Sequence, residues 1–145
     1  MANDSTLPVR RAILTELKAA GAVTALVPAT SIHPQAPIGA PTWPFIKYGA
    51  PSGLPVRASC VDGNEITVAL HGFAKPHKVG EQVVESAEDH AARIGSAIAA
   101  ALDGKRLSIA GGHAKVTWTG SQLLQDGDEA DAFHTVQNFR VRVLT

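Results

Sequence analysis

Six histidines are the first residues of this chain that could support chemistry, because imidazole binds metal ions and transfers protons near neutral pH. They are His33, His71, His77, His90, His113 and His134. A zinc site built within one segment needs ligands one helical turn apart or a pair of cysteines, and the sequence has neither. We interpret the histidines as scattered structural or surface residues. If folding brings two of them together, His113 and His134 on neighbouring strands are the pair to inspect.

The acidic run from Asp126 to Asp131, with the sequence Asp-Gly-Asp-Glu-Ala-Asp, is the second candidate site. A calcium-binding EF-hand loop needs glycine at its sixth position and glutamate at its twelfth. Counted from Asp126, those positions hold Asp131 and Gln137. The run is therefore interpreted as a solvated hairpin loop, and contact with a partner or with the lumen of an assembly is the alternative.

Other catalytic patterns are missing from the sequence, which has no phosphate-binding glycine loop, dinucleotide fingerprint or Gly-x-Ser-x-Gly elbow. Cys60 has no histidine close to it in sequence, so an inert thiol is the preferred interpretation. Glu88 and Asp89 lie where a helix is expected to begin, and carboxylates there stabilise the positive end of the helix dipole. We therefore predict a protein that is not an enzyme, with no catalytic residues, no metal and no cofactor.

The composition favours one folded domain spanning residues 1–145, since 45% of the residues are hydrophobic and 18% are charged. Lys plus Arg and Asp plus Glu both total 13, so the overall field does not favour general DNA binding. A single cysteine fits a reducing compartment such as the cytoplasm. Met1 to Pro8 lacks the features of a secretory signal, and no apolar stretch approaches the roughly 20 residues that span a bilayer, so we expect a soluble protein with no membrane partner.

Two segments have the apolar spacing of amphipathic helices. In the first, from Thr6 to Ala20, apolar residues recur along one face, and Gly21 is expected to end the helix. The second begins at Ser86, whose side chain is expected to cap the first turn, and it ends before Asp103-Gly104. Its alanine-rich apolar stripe favours close packing on a sheet.

The remaining segments favour strands and loops. Pro28 to Pro55 contains seven of the nine prolines, so a strand there must be short or at a sheet edge, and Phe45 to Tyr48 is the best candidate. Asp62-Gly63 is expected to turn the chain into a strand from Glu65 to Phe73. Three later strands are predicted at Arg106 to Ile109, Ala114 to Leu124 and Phe133 to Leu144.

The last strand shows which side of the sheet is buried, because Phe139, Val141 and Val143 alternate with Arg140 and Arg142. The apolar set is expected to face the core and the arginines to face solvent. Segregated helices and sequential strands indicate an α+β fold. We predict an antiparallel-rich β-sheet with two main α-helices packed on one face, plus a long Pro-rich loop or hairpin.

The order of these segments resembles the tail terminator, or tail completion, family of long-tailed bacteriophages and gene transfer agents, over nearly the whole chain. The resemblance depends on order and spacing, since no single residue is diagnostic. The segments that carry it are Pro8 to Ala20, Ala25 to Val27, Ser31 to Pro34, Trp43 to Ile46, Ser86 to Leu102, Leu107 to Gly112, Gln125 to Asp128, and His134 leading to Phe139-Arg140-Val141.

The resemblance implies a structural virion protein that acts with other proteins and catalyses nothing. Six copies would form a ring that caps the tail tube, stops polymerisation of the tube protein and joins the tail to the head-tail stopper, or connector, protein. The expected location is the neck region of the virion tail, after assembly in the bacterial host cytoplasm, with DNA only passing through the channel.

A ring needs contacts between two different patches of neighbouring copies, and sheet edges or long loops can supply them. The Pro-rich segment and the stretch from Leu54 to Gly63, expected to be a loop, are the candidates, with Trp43, Phe45, Leu54 and Arg57 as interface residues. The side chains expected to face the channel, where negative charge would keep DNA from binding, are Asp126, Asp128, Glu129 and Asp131.

Two other classes of function stay open at this point. One is a small α+β module that binds a ligand or peptide in a proline-walled groove. The other is a small hydrolase whose histidines and carboxylates meet only after folding. Trp43 and Trp118 are expected to be anchors in the core or at an interface, because indole rings bury a large area.

Overall fold

A computed structural model describes residues 3–37, 39–58 and 61–144. It contains three α-helices, α1 (Thr6–Ala19), α2 (Gly21–Thr24) and α3 (Ala87–Leu102), and one 3-10 turn (Ala29–Ser31). The strands are β1 (Ile32–His33), β2 (Phe45–Tyr48), β3 (Ser52–Ala58), β4 (Val61–Ala74), β5 (His77–Val79), β6 (Gln82–Glu85), β7 (Arg106–Ile109), β8 (Gly112–Gln125) and β9 (Phe133–Leu144). The predicted α+β class is confirmed. None of the described helices is long and apolar enough to cross a membrane.

The main sheet has seven strands, with β1, β2, β4, β9, β8 and β7 in that spatial order. Only β1 and β2 are parallel, so the prediction of a mostly antiparallel sheet is confirmed. Strand β3 pairs with the first half of β4, and β2 pairs with the second half. Both strands therefore lie along the same edge of β4, one after the other. The centre of the sheet is the long pairing of β4 with β9 and of β9 with β8.

The sheet has one face covered by helices and one face free of them, which we call the helix face and the open face. On β4, Ile66, Val68 and Leu70 are buried on the helix face. The helix α3 packs on β4, β9 and β8, and α1 packs on α3 and β7. At the start of α1, the Ser5 amide donates a hydrogen bond to Asn64 Oδ1, and Asn64 points to the same side as Ile66.

Both predicted helices are present, although the residue that ends α1 is not the predicted glycine. The apolar stripe of α1 is buried as predicted, but the helix stops because Ala20 adopts an extended conformation. Gly21, expected to end α1, is instead the first residue of α2. The cap of α3 is confirmed, since the Asp89 amide donates to Ser86 Oγ over 3.1 Å. That helix ends before Asp103-Gly104, as predicted.

The expected loop from Leu54 to Gly63 is wrong, because this stretch contains strand β3 and the beginning of β4. Asp62 and Gly63 do not form a turn, since they pair with Arg57 and Val56 inside the sheet. Asp-Gly is a common turn signal, but here the close approach of β9 explains the glycine: a Cβ at position 63 would overlap the carbonyl oxygen of Val143. Pairing with a distant strand overrides the local preference.

A small hairpin formed by β5 and β6 was not predicted from the sequence. It is a separate two-stranded sheet that joins β4 to α3, and nearly all of its residues are exposed. Its strands have only three and four residues, too few for a clear period-two pattern. The interpretation of Cys60 concerns a residue that lies outside the described part of the chain.

The contact of α3 with β9 depends on Gly95. A Cβ at this position would overlap Thr135 Oγ1 and approach Gln137 Nε2 within 2.6 Å. Both side chains are buried and hydrogen-bonded, because Gln137 Nε2 donates to Thr135 Oγ1 and Trp118 Nε1 donates to Gln137 Oε1, each over 2.9 Å. A buried polar network of this kind is stable only while every member keeps its partner. Gly95 therefore lets the helix lie directly over satisfied polar groups.

Replacing Gly95 with alanine should destabilise the fold even though alanine is the better helix former. The gain in helix propensity is about 1 kcal/mol, while overpacking a core costs about 1–3 kcal/mol and here also disturbs the network. Urea unfolding should show a lower free energy of unfolding for Gly95→Ala. The neighbouring control Ser96→Ala, at an exposed position of α3, should match or slightly exceed the wild type. A Gly95→Ala variant more stable than the wild type contradicts the close packing.

Candidate interaction surface

The open face of the main sheet carries most of the side chains that could recognise a partner. Residues directly opposite one another in neighbouring strands project to the same side, so the pairing register identifies the members of this face. They form two groups. The aromatic cluster, towards the β8–β9 loop, consists of Phe45, His71, Phe73 and His134, together with Trp43, whose ring contacts Phe45 and Phe73. The basic row, towards the other end, consists of Arg106, Lys115 and Arg142.

The aromatic cluster is a stack of rings across β2, β4 and β9. The ring centroids of Phe45 and Phe73 are 4.6 Å apart with 11° between their planes, and those of Phe73 and His134 are 4.2 Å apart with 16°. Trp43 meets Phe45 edge-on at 5.0 Å. Phe45, expected to contact a neighbouring copy, is only 6% exposed within its own chain, whereas Trp43 is half-buried at the rim. Of the two, Trp43 offers the accessible surface.

Two histidines meet inside this cluster, although they are not the pair singled out from the sequence. His113 lies opposite Leu144 and His134 opposite Leu124, towards opposite ends of the β8–β9 pairing, so the expected approach of His113 to His134 is wrong. His71 Nδ1 lies 2.7 Å from His134 Nε2 instead. The pairing of distant strands decides this contact, and no local spacing signals it. Among the described residues, no group of three His, Cys, Asp or Glu side chains is placed to hold a metal ion.

The surroundings of the histidine pair favour the neutral forms. Burial lowers the pKa of His71 to about 4, and the nearby His134 and Lys47 act in the same direction. Burial and Lys47 also lower the pKa of His134, while Asp126 opposes them. One imidazole can then donate its N–H to the unprotonated nitrogen of the other. The pair is accordingly a hydrogen bond between uncharged rings at neutral pH, and it supports the cluster.

The basic row places three cations side by side on the open face. Arg106 lies opposite Lys115 on β8, and Lys115 lies opposite Arg142 on β9. Arg142 Nη2 contacts Glu65 Oε2 at 3.0 Å, and Lys115 Nζ donates to the carbonyl oxygen of Gly104. Like charges directly opposite one another destabilise a sheet. An anionic group from outside the chain would therefore relieve this repulsion. Arg140 and Arg142 are exposed, which agrees with the prediction that the arginines of β9 face solvent.

The other expected interface residues lie on β3. Leu54 is 66% exposed and lies opposite Glu65, so it extends the line of the basic row to the sheet edge. Arg57 is exposed and lies opposite Asp62, near the beginning of α1. Leu54 and Arg57 point to opposite faces because they are three residues apart in an extended strand. The structure therefore brings Leu54 into the open face and leaves Arg57 outside it.

The acidic loop, residues 126–131, connects β8 to β9 as predicted. Its first turn is held by the Asp128 amide, which donates to Asp126 Oδ1 over 2.9 Å. Glu129 lies 3.6 Å from Lys75, and Lys75 Nζ lies 4.9 Å from the ring of Trp43, so the loop is attached to the rim of the aromatic cluster. Asp128 and Asp131 point into solvent.

Sequence reasoning missed a groove on the helix face between α3 and the second half of β8. Trp118 is 42% exposed there, although its indole N–H is satisfied by Gln137. One signal was present in the sequence, because the polar residues Thr135 and Gln137 occupy positions of β9 that alternate in step with the apolar Phe139. Both are buried in the structure. The remaining lining comes from small side chains of α3, Ala92, Ser96, Ala99 and Ala100, and from Leu123.

Comparisons with known proteins agree with this architecture. The sequence matches the model of the family described as "Tail completion protein gp17" over residues 11–144. A chain of the solved structure "Virion of native gene transfer agent (GTA) particle" has a TM-score of 0.80 and 16% identity, covering 99% of this chain and 100% of that chain. At that identity the similarity shows a shared fold. No curated protein matches the sequence significantly.

The histidine pair predicts a pH dependence of stability. The folded-state pKa of His71 is lowered from 6.5 to about 4, so protons bind the unfolded chain first as the pH falls. The contribution of His71 is complete above about pH 6.5 and is lost towards about pH 4. Melting temperatures should therefore fall less steeply over this window for His71→Gln than for the wild type. His113→Gln, at an exposed position, should keep the wild-type slope, and equal slopes for all three proteins contradict the assignment.

Proposed function

Because the chain belongs to the tail completion protein gp17 family, we propose that it is a structural protein of the tail of a phage or gene transfer agent. It forms a ring of six copies that caps the tail tube, ends polymerisation of the tube protein and joins the tail to the head-tail stopper. It resides in the neck region of the virion, is assembled in the bacterial host cytoplasm, and catalyses no reaction. The observation that carries this proposal is the family match over residues 11–144.

The structure supports a role in docking because it presents several exposed features that a monomer does not need. The open face has no helix packed on it, and Leu54 and Trp118 are large apolar side chains exposed at different places. A ring uses two different patches of each copy, and these features lie on both sides of the sheet. The proposed contacts are the edge strand β3, where Leu54 and Arg57 are exposed on opposite faces, and the rim of the aromatic cluster at Trp43, which packs on the buried Phe45.

The acidic loop lies at the wall of the central channel in this proposal. Asp126, Asp128, Glu129 and Asp131 would present negative charge to the passing DNA, whose phosphates would be repelled. Three of the four side chains are exposed, and the fourth holds the turn. DNA is then a passenger, and the binding partners are further copies of this chain, the tail tube protein and the stopper.

Tail tube length provides the direct test. Tube protein polymerised with the wild-type protein should give short tubes with a ring at one end, seen by electron microscopy, whereas tube protein alone should continue to grow. With Leu54→Asp, most tubes should continue to grow without a ring, because the substitution places a charge at the proposed contact. The control Leu7→Asp, also an exposed leucine, should cap normally, since an acidic residue is favourable in a first helical turn.

Unchanged tube growth in the presence of the folded wild-type protein contradicts the proposal. Equal capping by Leu54→Asp and the wild type contradicts only the contribution of β3 to the contact. Circular dichroism and melting temperatures of both variants show whether each remains folded.

A further inference from the structure

We propose that the acidic loop of one copy docks on the basic row of the next copy, so that this ion-pair contact closes the ring. The inference rests on the proposed function and identifies the two patches that meet. The first patch contains Asp128 and Asp131, and the second consists of the basic row together with the adjacent Arg140. Arg140 lies opposite Thr117, one row from Lys115 on the same face.

Two of the three cations in the basic row have no ion-pair partner among the described residues. Arg106, Lys115 and Arg142 follow one another across three strands, where neighbouring side chains lie about 5 Å apart. Glu65 neutralises one of these cations. Within residues 3–37, 39–58 and 61–144, no carboxylate forms an ion pair with Arg106, Lys115 or Arg140. The energetic cost of three clustered cations is removed if carboxylates from outside the chain complete the pattern.

The acidic loop is the complementary patch because its outer carboxylates are free to dock. Glu129 forms an ion pair with Lys75 beside the aromatic cluster. Asp126 accepts a hydrogen bond from the backbone amide of Asp128 within the turn. The Asp128 and Asp131 side chains remain exposed at the tip. A carboxylate can accept two parallel N–H bonds from one guanidinium, which fixes orientation as well as charge.

The two patches cannot meet within one chain. Lys115 is ten residues before the end of β8 at Gln125, and a strand rises about 3.3 Å per residue, so the patches are separated by roughly 30 Å along a stiff hairpin. They can meet when two copies are arranged head to tail. Such a contact joins different patches of the two copies, and repetition with a fixed rotation closes a ring.

Apolar side chains next to both patches support the same arrangement. Leu124, at the base of the acidic loop, is 45% exposed, and Leu144, beside the basic row, is 48% exposed. Both point to the open face, opposite His134 and His113 respectively. Burying two leucines at the contact would add apolar area to the ion pairs, which by themselves contribute little when exposed to solvent.

A second copy fits the row better than DNA does. The chain has equal numbers of acidic and basic residues, so the positive charge of the row is balanced by negative charge elsewhere on the same chain. A conduit with uncovered cations would also retain the phosphates that pass through it. When Asp128 and Asp131 of the neighbour cover the row, they screen its cations from the channel, and of the four acidic side chains only Asp126 and Glu129 remain to face the DNA.

Disulfide trapping tests the contact by geometry. The full chain carrying Lys115→Cys, Asp128→Cys and Cys60→Ser would be oxidised on tail tubes and, separately, in concentrated solution. A disulfide requires Cα atoms within about 7 Å, so a bond between these positions can form only between copies. We expect a ladder of covalent oligomers up to the full ring on non-reducing gels. The control Arg11→Cys with Asp128→Cys and Cys60→Ser, whose first cysteine lies on the exposed side of α1, should stay monomeric.

Charge exchange tests the same contact by energetics. Lys115→Glu with Arg140→Glu should reduce the fraction of capped tubes at least tenfold, and so should Asp128→Lys with Asp131→Lys. All four changes together should restore capping to within about threefold of the wild type, because the reversed charges again attract. Capping by the wild type should weaken as salt is raised, since screening shortens the range of exposed ion pairs.

The outcomes separate this inference from the proposed function. Wild-type capping with neither a covalent ladder nor any effect of charge reversal overturns the contact and leaves the capping role standing. Failure of the wild type to cap tail tubes overturns the proposed function. In that case, the presence or absence of disulfide-linked oligomers in concentrated solution still tests the contact. If the Lys115→Glu, Arg140→Glu protein loses only affinity for a double-stranded oligonucleotide, the row binds DNA and the contact is overturned. If the charge-reversed variants do not fold, the disulfide-trapping experiment tests the contact instead, and the absence of covalent oligomers overturns it.

Discussion

The close approach of α3 to β9 is the contact on which the rest of the structure depends. A Cβ at Gly95 of the helix would overlap Thr135 Oγ1, and a Cβ at Gly72 of β4 would lie only 2.9 Å from side-chain atoms of Ile94 and Thr135. Both glycines therefore allow the helix to lie close to the sheet. The long strands β4, β9 and β8 pack against the helix on this side, with their apolar side chains buried. Their other side then projects into solvent without a covering layer, and this open face is the surface available to partners.

The open face is organised along its length by the pairing of β4 with β9 and of β9 with β8. Because the register is continuous over twelve residue pairs between β4 and β9, side chains that are far apart in sequence form ordered groups. Rings collect at one end, where His71 and His134 share a hydrogen bond, and cations collect at the other. The stiffness of paired strands keeps these groups apart, which favours contacts between copies over contacts within one copy.

A capping protein of a tail has to bind several partners at once, and the separation of surfaces in this fold suits that proposed task. The edge at β3, the groove beside Trp118, the small β5–β6 hairpin and the open face lie on different parts of the molecule. Among the residues that the structure describes, no three His, Cys, Asp or Glu side chains are placed to hold a metal ion. The buried side chains of Thr135 and Gln137 are hydrogen-bonded to each other, and Gln137 also accepts the indole N–H of Trp118, so this network stabilises the fold.

The sequence alone predicted the features that depend on short-range periodicity: the stripe of α1, the cap of α3 at Ser86, the alternation of β9 and the position of the acidic loop. It could not predict that Asp62-Gly63 lies inside a strand, because the reason is the backbone of β9 some 80 residues away. Only the tertiary structure decided which histidines meet and which cations align, since both depend on strand register, and a shift of one residue would send every side chain to the opposite face.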